Sequence, residues 1–297
     1  MNQNDVDSNA ARLDLIVVGF TGELRALKLQ ARSLRLYAAA NLFGTLYYVC
    51  NDNAFRHFET YIETQVKPEL GALASSVCVV DYQKLLGKRI KITGWRSQQV
   101  LKLLMSRKVA TKQYLILDSK NHFIRPFSAS TFLSENGLLR AHSVPINPLF
   151  RRHFNAACTY FGVKEADDIK EALPTTTPFL MATKITCDLL DDVERRESKP
   201  FFDFFIENGS FNEFYFYVAY MLSKKNLMSQ TYQESKKYAL ALFGGDANKP
   251  KRIEALMLAL ENTDICCTGI HRRIFEAGLL ENLTVITAMW HRFGLVE

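Results

Sequence analysis

The sequence predicts an α/β protein with a mainly parallel central sheet flanked by helices, and two observations carry that expectation. Short continuous apolar runs of strand length recur through the first half: Leu13-Asp14-Leu15-Ile16-Val17-Val18-Gly19-Phe20, Leu46-Tyr47-Tyr48-Val49-Cys50, Val77-Cys78-Val79-Val80-Asp81 and Tyr114-Leu115-Ile116-Leu117-Asp118. Parallel strands read this way because helices cover both of their faces. Between the runs stand segments of helical apolar spacing, and that alternation indicates parallel crossover units.

Taken in order, the first strand ends at Gly19-Phe20-Thr21-Gly22, a breaker signal. From Glu23 to about Ala40, Leu24, Leu27, Leu34 and Tyr37 are interleaved with Arg25, Lys28, Arg32 and Arg35, as in an amphipathic helix. Asn51-Asp52-Asn53 after the second strand is a turn cluster suited to capping the next helix. Ser97 to about Arg107 predicts a helix that leads into the 114–118 strand. Residues 13–130 therefore read as a Rossmann-like nucleotide-binding half, preceded by a frayed polar tail over residues 1–12.

Beyond Pro126 the character changes, and residues 131–297 read as a helix-rich, acceptor-binding half of the same domain. Ser143-Val144-Pro145-Ile146-Asn147-Pro148 and Leu173-Pro174-Thr175-Thr176-Thr177-Pro178 are loops. Helices are expected over 149–161, with Arg151, Arg152 and His153, over 212–223, rich in Phe and Tyr, and over 251–261. Val285-Ile286-Thr287 reads as a late strand. Asp188 to Glu194 reads as one solvated helix face.

Composition narrows the class. With 297 residues, 48% hydrophobic and 23% charged, the chain can bury a large core and is neither fibrous nor disordered. No run approaches the roughly 18 apolar residues that span a bilayer, and the N-terminus lacks secretory features, so a cytoplasmic protein is expected. Six cysteines without C-x-x-C spacing read as buried thiols. The net charge of +6 suits anionic ligands, an anionic membrane face or nucleic acid. Scattered basic residues, as in Lys88-Arg89-Ile90-Lys91, form no long block, and no RNA-recognition or zinc-finger pattern occurs, so nucleic acid is not expected as a partner. Gly19-Phe20-Thr21-Gly22 lacks both dinucleotide and P-loop spacing, and neither H-E-x-x-H nor G-x-S-x-G occurs.

The informative polar residues come after the fourth strand. Open α/β sheets bind ligands just outside the carboxyl ends of their strands, so Asp118-Ser119-Lys120-Asn121-His122 lies at the mouth of a site or forms an ordinary Asp-Ser turn. The block Gly94-Trp95-Arg96-Ser97-Gln98-Gln99-Val100-Leu101-Lys102-Leu103, succeeded by Tyr114 to Phe127, resembles bacterial glycosyltransferase-A-type proteins, in particular a polysaccharide-locus glycosyltransferase-like group. The likeness extends to Thr177-Pro178-Phe179, to Asn208-Gly209-Ser210-Phe211-Asn212-Glu213-Phe214 and to Gly269-Ile270-His271-Arg272-Arg273.

This resemblance implies a Rossmann-like glycosyltransferase-A fold. It implies transfer of a sugar from a nucleotide-sugar donor to a bacterial surface glycan or lipid-linked acceptor, with peripheral contact at the inner membrane. In the resembled proteins an acidic motif after the strand holds a divalent ion and touches the ribose. Here the motif is Asp118-Ser119-Lys120, and a lysine in place of the second acid repels Mg²⁺ or Mn²⁺. Lys120 then supplies the positive charge, with Asp118 and Ser119 as donor-side residues; if a metal is used, Asp118 and His271 are its ligands. His271 and Arg272 are expected to contact the diphosphate.

Glu213 is the expected general base, its carboxyl lifted by Phe211, Phe214 and Tyr215, and an acceptor base favours inversion. Its bland reading is a helix-start acid placed by the dipole. On the acceptor side the resemblance points to Thr177, while Trp95, Tyr215, Tyr217 and Trp290 are candidates to stack on sugar rings. Two other readings stay open: a catalytically silent nucleotide- or glycan-binding scaffold of the same fold, and a basic RNA- or membrane-surface-binding module.

Overall fold

The computed structural model describes residues 12–88 and 94–296. All but Arg12 of the expected tail over residues 1–12, and the basic residues Arg89 and Lys91, lie outside the described residues. The strands that position the site are β1 (Leu13–Gly19), β2 (Phe43–Cys50), β3 (Val77–Asp81), β4 (Gln113–Asp118), β5 (Asn121–Phe123), β6 (Phe179–Ala182), β7 (Ala239–Leu242) and β8 (Cys267–Ile270). The helices used below are α1 (Leu24–Tyr37), α2 (Trp95–Leu104), α3 (Arg151–Phe161), α4 (Thr183–Glu197), α5 (Phe201–Glu207), α6 (Glu213–Leu222), α7 (Pro250–Ala259) and α8 (Leu280–Arg292).

The main sheet has the order β3-β2-β1-β4-β6, and its first four strands are parallel. Every residue of β1 is buried, which explains its unbroken apolar run. The exception, Asp14, is satisfied locally: its carboxylate accepts from the backbone N–H groups of Thr45 and Ala110, both at 2.8 Å. An acid can stand inside a buried strand when its oxygens find such donors.

Register decides where the polar residues emerge. Val18 lies opposite both Val49 and Asp118, and Cys50 lies opposite Asp81, so the parallel strands end level with one another. Thr21, Asn51, Asp52 and Ser119 consequently leave the sheet at one edge. The fifth strand, β6, runs antiparallel with Phe179 opposite Ile116, which delivers the preceding loop, Pro174 to Pro178, to that same edge.

A second sheet, β7-β8-β5, completes the arrangement. Gly269 pairs with Asn121, and the Ile270 N–H donates to the Lys120 carbonyl at 3.1 Å. The next residues, His271 to Arg273, are thereby laid against the turn after β4. Helices α3, α5 and α6 pack an aromatic cluster behind the main sheet, with Phe216 contacting the rings of Phe161, Phe201, Phe205 and Phe211. Among the described residues no helix is long and apolar enough to cross a membrane.

Sequence and structure part at the C-terminus. Val285-Ile286-Thr287 belongs to α8 rather than to a strand. The run is β-branched, but the positions that α8 buries are Asn282, Ile286 and Met289, a helical spacing. Strands β7 and β8 were unassigned from sequence; both are four residues long, too short to show a clear period.

Candidate functional site

The turn after β4 is held by a dense set of polar contacts. Asn121 accepts from the Asp118 N–H through Oδ1 at 2.8 Å and donates from Nδ2 to the Thr177 carbonyl at 3.1 Å. The Thr177 hydroxyl donates to the same Oδ1 at 2.6 Å. From the other side, Gln30 of α1 donates to the carbonyls of Asp118 and Asn121 at 2.8 and 2.9 Å. Ser119 Oγ donates to Glu23 Oε2 at 2.6 Å.

The charges form a chain of alternating sign. Lys102, on α2 and nearly fully buried, places its ammonium 2.8 Å from Asp118 Oδ1 and 3.3 Å from Glu213 Oε1. Lys120 pairs with the other oxygen of Asp118. Glu213 is 3% exposed, and its second oxygen accepts from Asn212 Nδ2 at 2.9 Å. Burial pushes the Asp118 carboxyl up, but Lys102 and Lys120 outweigh it and hold the group far below the usual carboxylate range. Glu213 goes the other way: burial lifts it, and Lys102 offsets only part of that. Burial pulls the Lys102 ammonium down, and Asp118 and Glu213 together more than restore it, so Lys102 stays charged.

Beside this turn, at the carboxyl ends of β1 and β2, lies a cleft of about 660 Å³. Its walls include Glu23, Asp52 and Gln98 on one side and Gly244, His271 and Arg273 on the other. Asp52 accepts from the Thr21 N–H at 3.2 Å and from the Ala54 N–H at 3.2 Å, which fixes the loop after β2. Asn51 is fixed too, donating to the Gly94 carbonyl at 3.0 Å and accepting from Ser97 Oγ at 2.7 Å. Burial lifts the Glu23 carboxyl against the opposing Ser119 contact. Burial lowers His271, helped by Lys120, Arg272 and Arg273, so its ring is neutral near pH 7.

A second cavity, of about 410 Å³, opens on the other side of the turn. Thr177, Tyr215, Tyr238 and Phe243 are among its walls. The turn after β4 thus separates two spaces: Ser119 bonds to Glu23 in the wall of one, and Asn121 bonds to Thr177 in the wall of the other.

The residues present do not fit a divalent metal after β4. One oxygen of Asp118 faces Lys102 and the other Lys120, so a cation approaching either carboxylate oxygen meets an ammonium. Among the described residues no three His, Cys, Asp or Glu side chains converge in metal-ligating geometry.

Known proteins share this architecture. A family model, described as Family of unknown function (DUF6492), matches residues 18–244. The chain belongs to the DUF6492 family. No curated protein matches it by sequence. The DUF6492 chain is similar in backbone to the galactosyltransferase LgtC in complex with donor and acceptor sugar analogs, with a TM-score of 0.53 at 11% identity, covering 95% of this chain and 100% of that one. A structure of an active-site mutant of LgtC gives the same figures. Apo mouse xyloside xylosyltransferase 1 gives a TM-score of 0.44 at 12% identity, over 88% of this chain and 98% of that one. The DUF6492 chain has the glycosyltransferase-A fold: a mixed α/β domain around a mostly parallel sheet.

The residues singled out from sequence divide accordingly. His271 and Arg272 line the cleft. Asp118, Ser119 and Lys120 are not among the walls of either space, though Ser119 bonds to the wall residue Glu23, and Glu213 is buried and lines neither. Thr177 and Tyr215 meet in the second cavity, whereas Trp95, 52% exposed, stands in the wall of the first. Tyr217 is fully buried, with its oxygen accepting from the Ala182 N–H, and Trp290 donates to His122 and stacks on Phe275. Neither is placed to stack on a sugar. His122 is buried and neutral, its pKa pushed down to about 4 by burial.

Sequence reasoning missed Glu23, Asn51, Asp52, Gln98 and, above all, Lys102. The last left a signal: a lysine among the apolar residues Val100, Leu101, Leu103 and Leu104 is out of place unless it meets an acid in the core.

Proposed function

We propose that the protein transfers a glycosyl group from a nucleotide-sugar donor, seated in the cleft at the ends of β1 and β2, to a hydroxyl of a glycan or lipid-linked acceptor in the second cavity. The observation that carries this reading is the turn Asp118 to Asn121, set at the carboxyl end of β4 in a glycosyltransferase-A fold and in contact with the walls of both spaces. Ligands of open α/β sheets sit at such an edge, and the donor and acceptor of a transfer must meet across a shared boundary.

The chemistry demands stabilisation of the leaving diphosphate as the glycosyl bond breaks. A cationic group serves where a metal does not fit. Lys120, beside Asp118, and Arg272 and Arg273, at the cleft, supply that charge, while neutral His271 offers a hydrogen bond. Asp118 holds Lys120 until a phosphate competes for it. The sequence-based role of Glu213 as acceptor base requires that it leave Lys102 for the acceptor hydroxyl, and inversion depends on that exchange. Held as it is, Glu213 positions Lys102, and through Lys102 it positions Asp118.

A silent, nucleotide-binding scaffold is the competing reading, favoured by the full pairing of both Asp118 oxygens. Thermal-shift titration with UDP, GDP, CMP and their sugars tests both readings, because a ligand that binds only the native state raises its stability by mass action. Stabilisation together with donor hydrolysis supports transfer; stabilisation without turnover on any donor supports the scaffold; no stabilisation by any nucleotide removes both.

A further inference from the structure

The second cavity carries a charge that transfer alone does not require. Its walls include Arg140, His142, Lys237 and Arg252 and contain no Asp or Glu. Several surface cations elsewhere are matched with acids, as in Lys88 with Asp203, Arg107 with Asp191 and Glu194, and Arg292 with Glu261. Here Arg140 and Lys237 have no ion-pair partner among the described residues. Arg252 has only Asp246, at 3.5 Å and shared with Lys249. The acid that acts on His142 is Glu234, whose two oxygens accept from the N–H and hydroxyl of Ser143.

Two further features point to a ligand rather than to a solvated face. Arg140 Nε is buried without a hydrogen-bond acceptor, and a buried donor left unmade costs free energy that a bound anion would recover. Phe179, Tyr215 and Tyr238 are also among the cavity walls, aromatic carbon of the kind against which the apolar face of a sugar ring can pack. The donor cleft differs in kind, since Glu23 and Asp52 stand there among the cations.

We propose that this cavity selects an acidic acceptor, a sugar unit that bears a carboxylate or a phosphate, held by Arg140 and Lys237 with Arg252 and His142 completing the positive rim. The guanidinium fork matches either anion in a bidentate way, and the surplus of positive charge steers such a glycan toward the cavity. The word acceptor rests on the transfer reading; the recognition of an anion rests on the cavity alone.

Calorimetric titration distinguishes the two. The probes are a pair of disaccharides that differ only in a carboxylate replacing a hydroxymethyl group, and a sugar phosphate as the third arm, with UDP, GDP and CMP titrated separately. The expected result is that an anionic probe binds roughly tenfold or more tightly than the neutral one, that the preference shrinks as salt is raised, and that Lys237→Ala and Arg140→Gln each remove most of it without changing nucleotide affinity. Lys237 is exposed, so its variant reports even if Arg140→Gln folds poorly. Equal binding of anionic and neutral probes, or a preference unaltered in the Lys237→Ala protein, overturns the proposal. An anionic preference without nucleotide binding keeps it and sinks the transfer reading; nucleotide binding with a neutral preference does the reverse.

Discussion

Lys102 holds Asp118 from inside the protein: its ammonium nitrogen sits 2.8 Å from Asp118 Oδ1 while the whole lysine is only 4% exposed. The same ammonium contacts Glu213, so one buried cation serves two carboxylates. Such an arrangement survives in a core because each charge has a partner, and it becomes costly once a single partner is removed.

Replacing Lys102 by Met leaves Glu213 buried without its ion-pair partner, with Asn212 Nδ2 still donating to it. We expect Lys102→Met to destabilise the fold by about 3–5 kcal/mol, the scale for stranding a buried charge. Adding Glu213→Gln should return part of that loss, since the stranded charge goes with it. Denaturant unfolding of both variants checks this; a double variant no more stable than the single one would show that Glu213 and Lys102 are uncoupled.

The two acids pull the acid limb of the stability profile in opposite directions. Asp118 has a lowered carboxyl pKa in the folded protein, so its contribution is fully present above the unfolded value near ~3.9 and is lost progressively as pH falls from there through the folded value. Glu213 has a raised pKa, so the folded state is favoured while the group is protonated, and that advantage is lost as pH rises through the folded value. Relative to wild type, the disadvantage of Asp118→Asn should therefore begin to shrink only as pH drops below about 3.9. Glu213→Gln should gain on wild type as pH rises from about 4.3, the unfolded Glu value. Thermal melts across that interval read both slopes, and parallel profiles would contradict the assignment.

Nucleotide binding should not depend on a divalent ion. EDTA is expected to leave nucleoside diphosphate affinity largely intact, while Lys120→Ala weakens it by on the order of 1.5–3 kcal/mol, the size of a charge-assisted contact. Loss of binding in EDTA with a silent Lys120→Ala would return the role to a metal.

Glu213→Gln also separates base from positioning residue. As the acceptor's base, Glu213 is needed for turnover, and its amide should lower kcat by roughly 10²–10⁴ with donor affinity preserved. As the residue that places Lys102, it should cost less than about tenfold in kcat, and the loss should be accompanied by a changed nucleotide affinity. Kinetics on donor hydrolysis with a parallel binding titration decide between the two.

Gly244 tests the cleft without touching a charge. A Cβ there would lie 2.9 Å from Arg273 Cδ and 3.2 Å from His271 Nδ1, so Gly244→Ala must displace the Arg273 side chain and crowd the His271 ring, both in the cleft wall. We expect weaker nucleotide binding with a melting temperature within a few degrees of wild type; unchanged affinity would place the diphosphate elsewhere.

Much of the first half was legible because buried parallel strands leave unbroken apolar runs; all four such runs became strands of the main sheet, although β3, at its edge, is only partly buried. Asp118 stood out because its strand ends level with β1, and the chain after it turns polar at once. Lys102 and Glu213 were harder to place: their meeting depends on α2 and α6 packing together across more than a hundred residues, and nothing local signals a partner that distant. The cleft residues Glu23, Asn51 and Asp52 share that difficulty, since register between strands brings them to one edge. Val285 to Thr287 misled because β-branched residues favour strands only where a neighbouring strand exists to pair with them.

Asn121 gives the two spaces a common hinge pin. Its side chain ties the Asp118 N–H to the Thr177 backbone and hydroxyl, so a ligand that moves the turn would also move a wall of the second cavity, and under the proposed function donor and acceptor would be coupled. Thermodynamic reciprocity then requires that the acceptor alter donor affinity by the same factor with which the donor alters acceptor affinity. Coupling between the two spaces, in such a molecule, would run through a single amide.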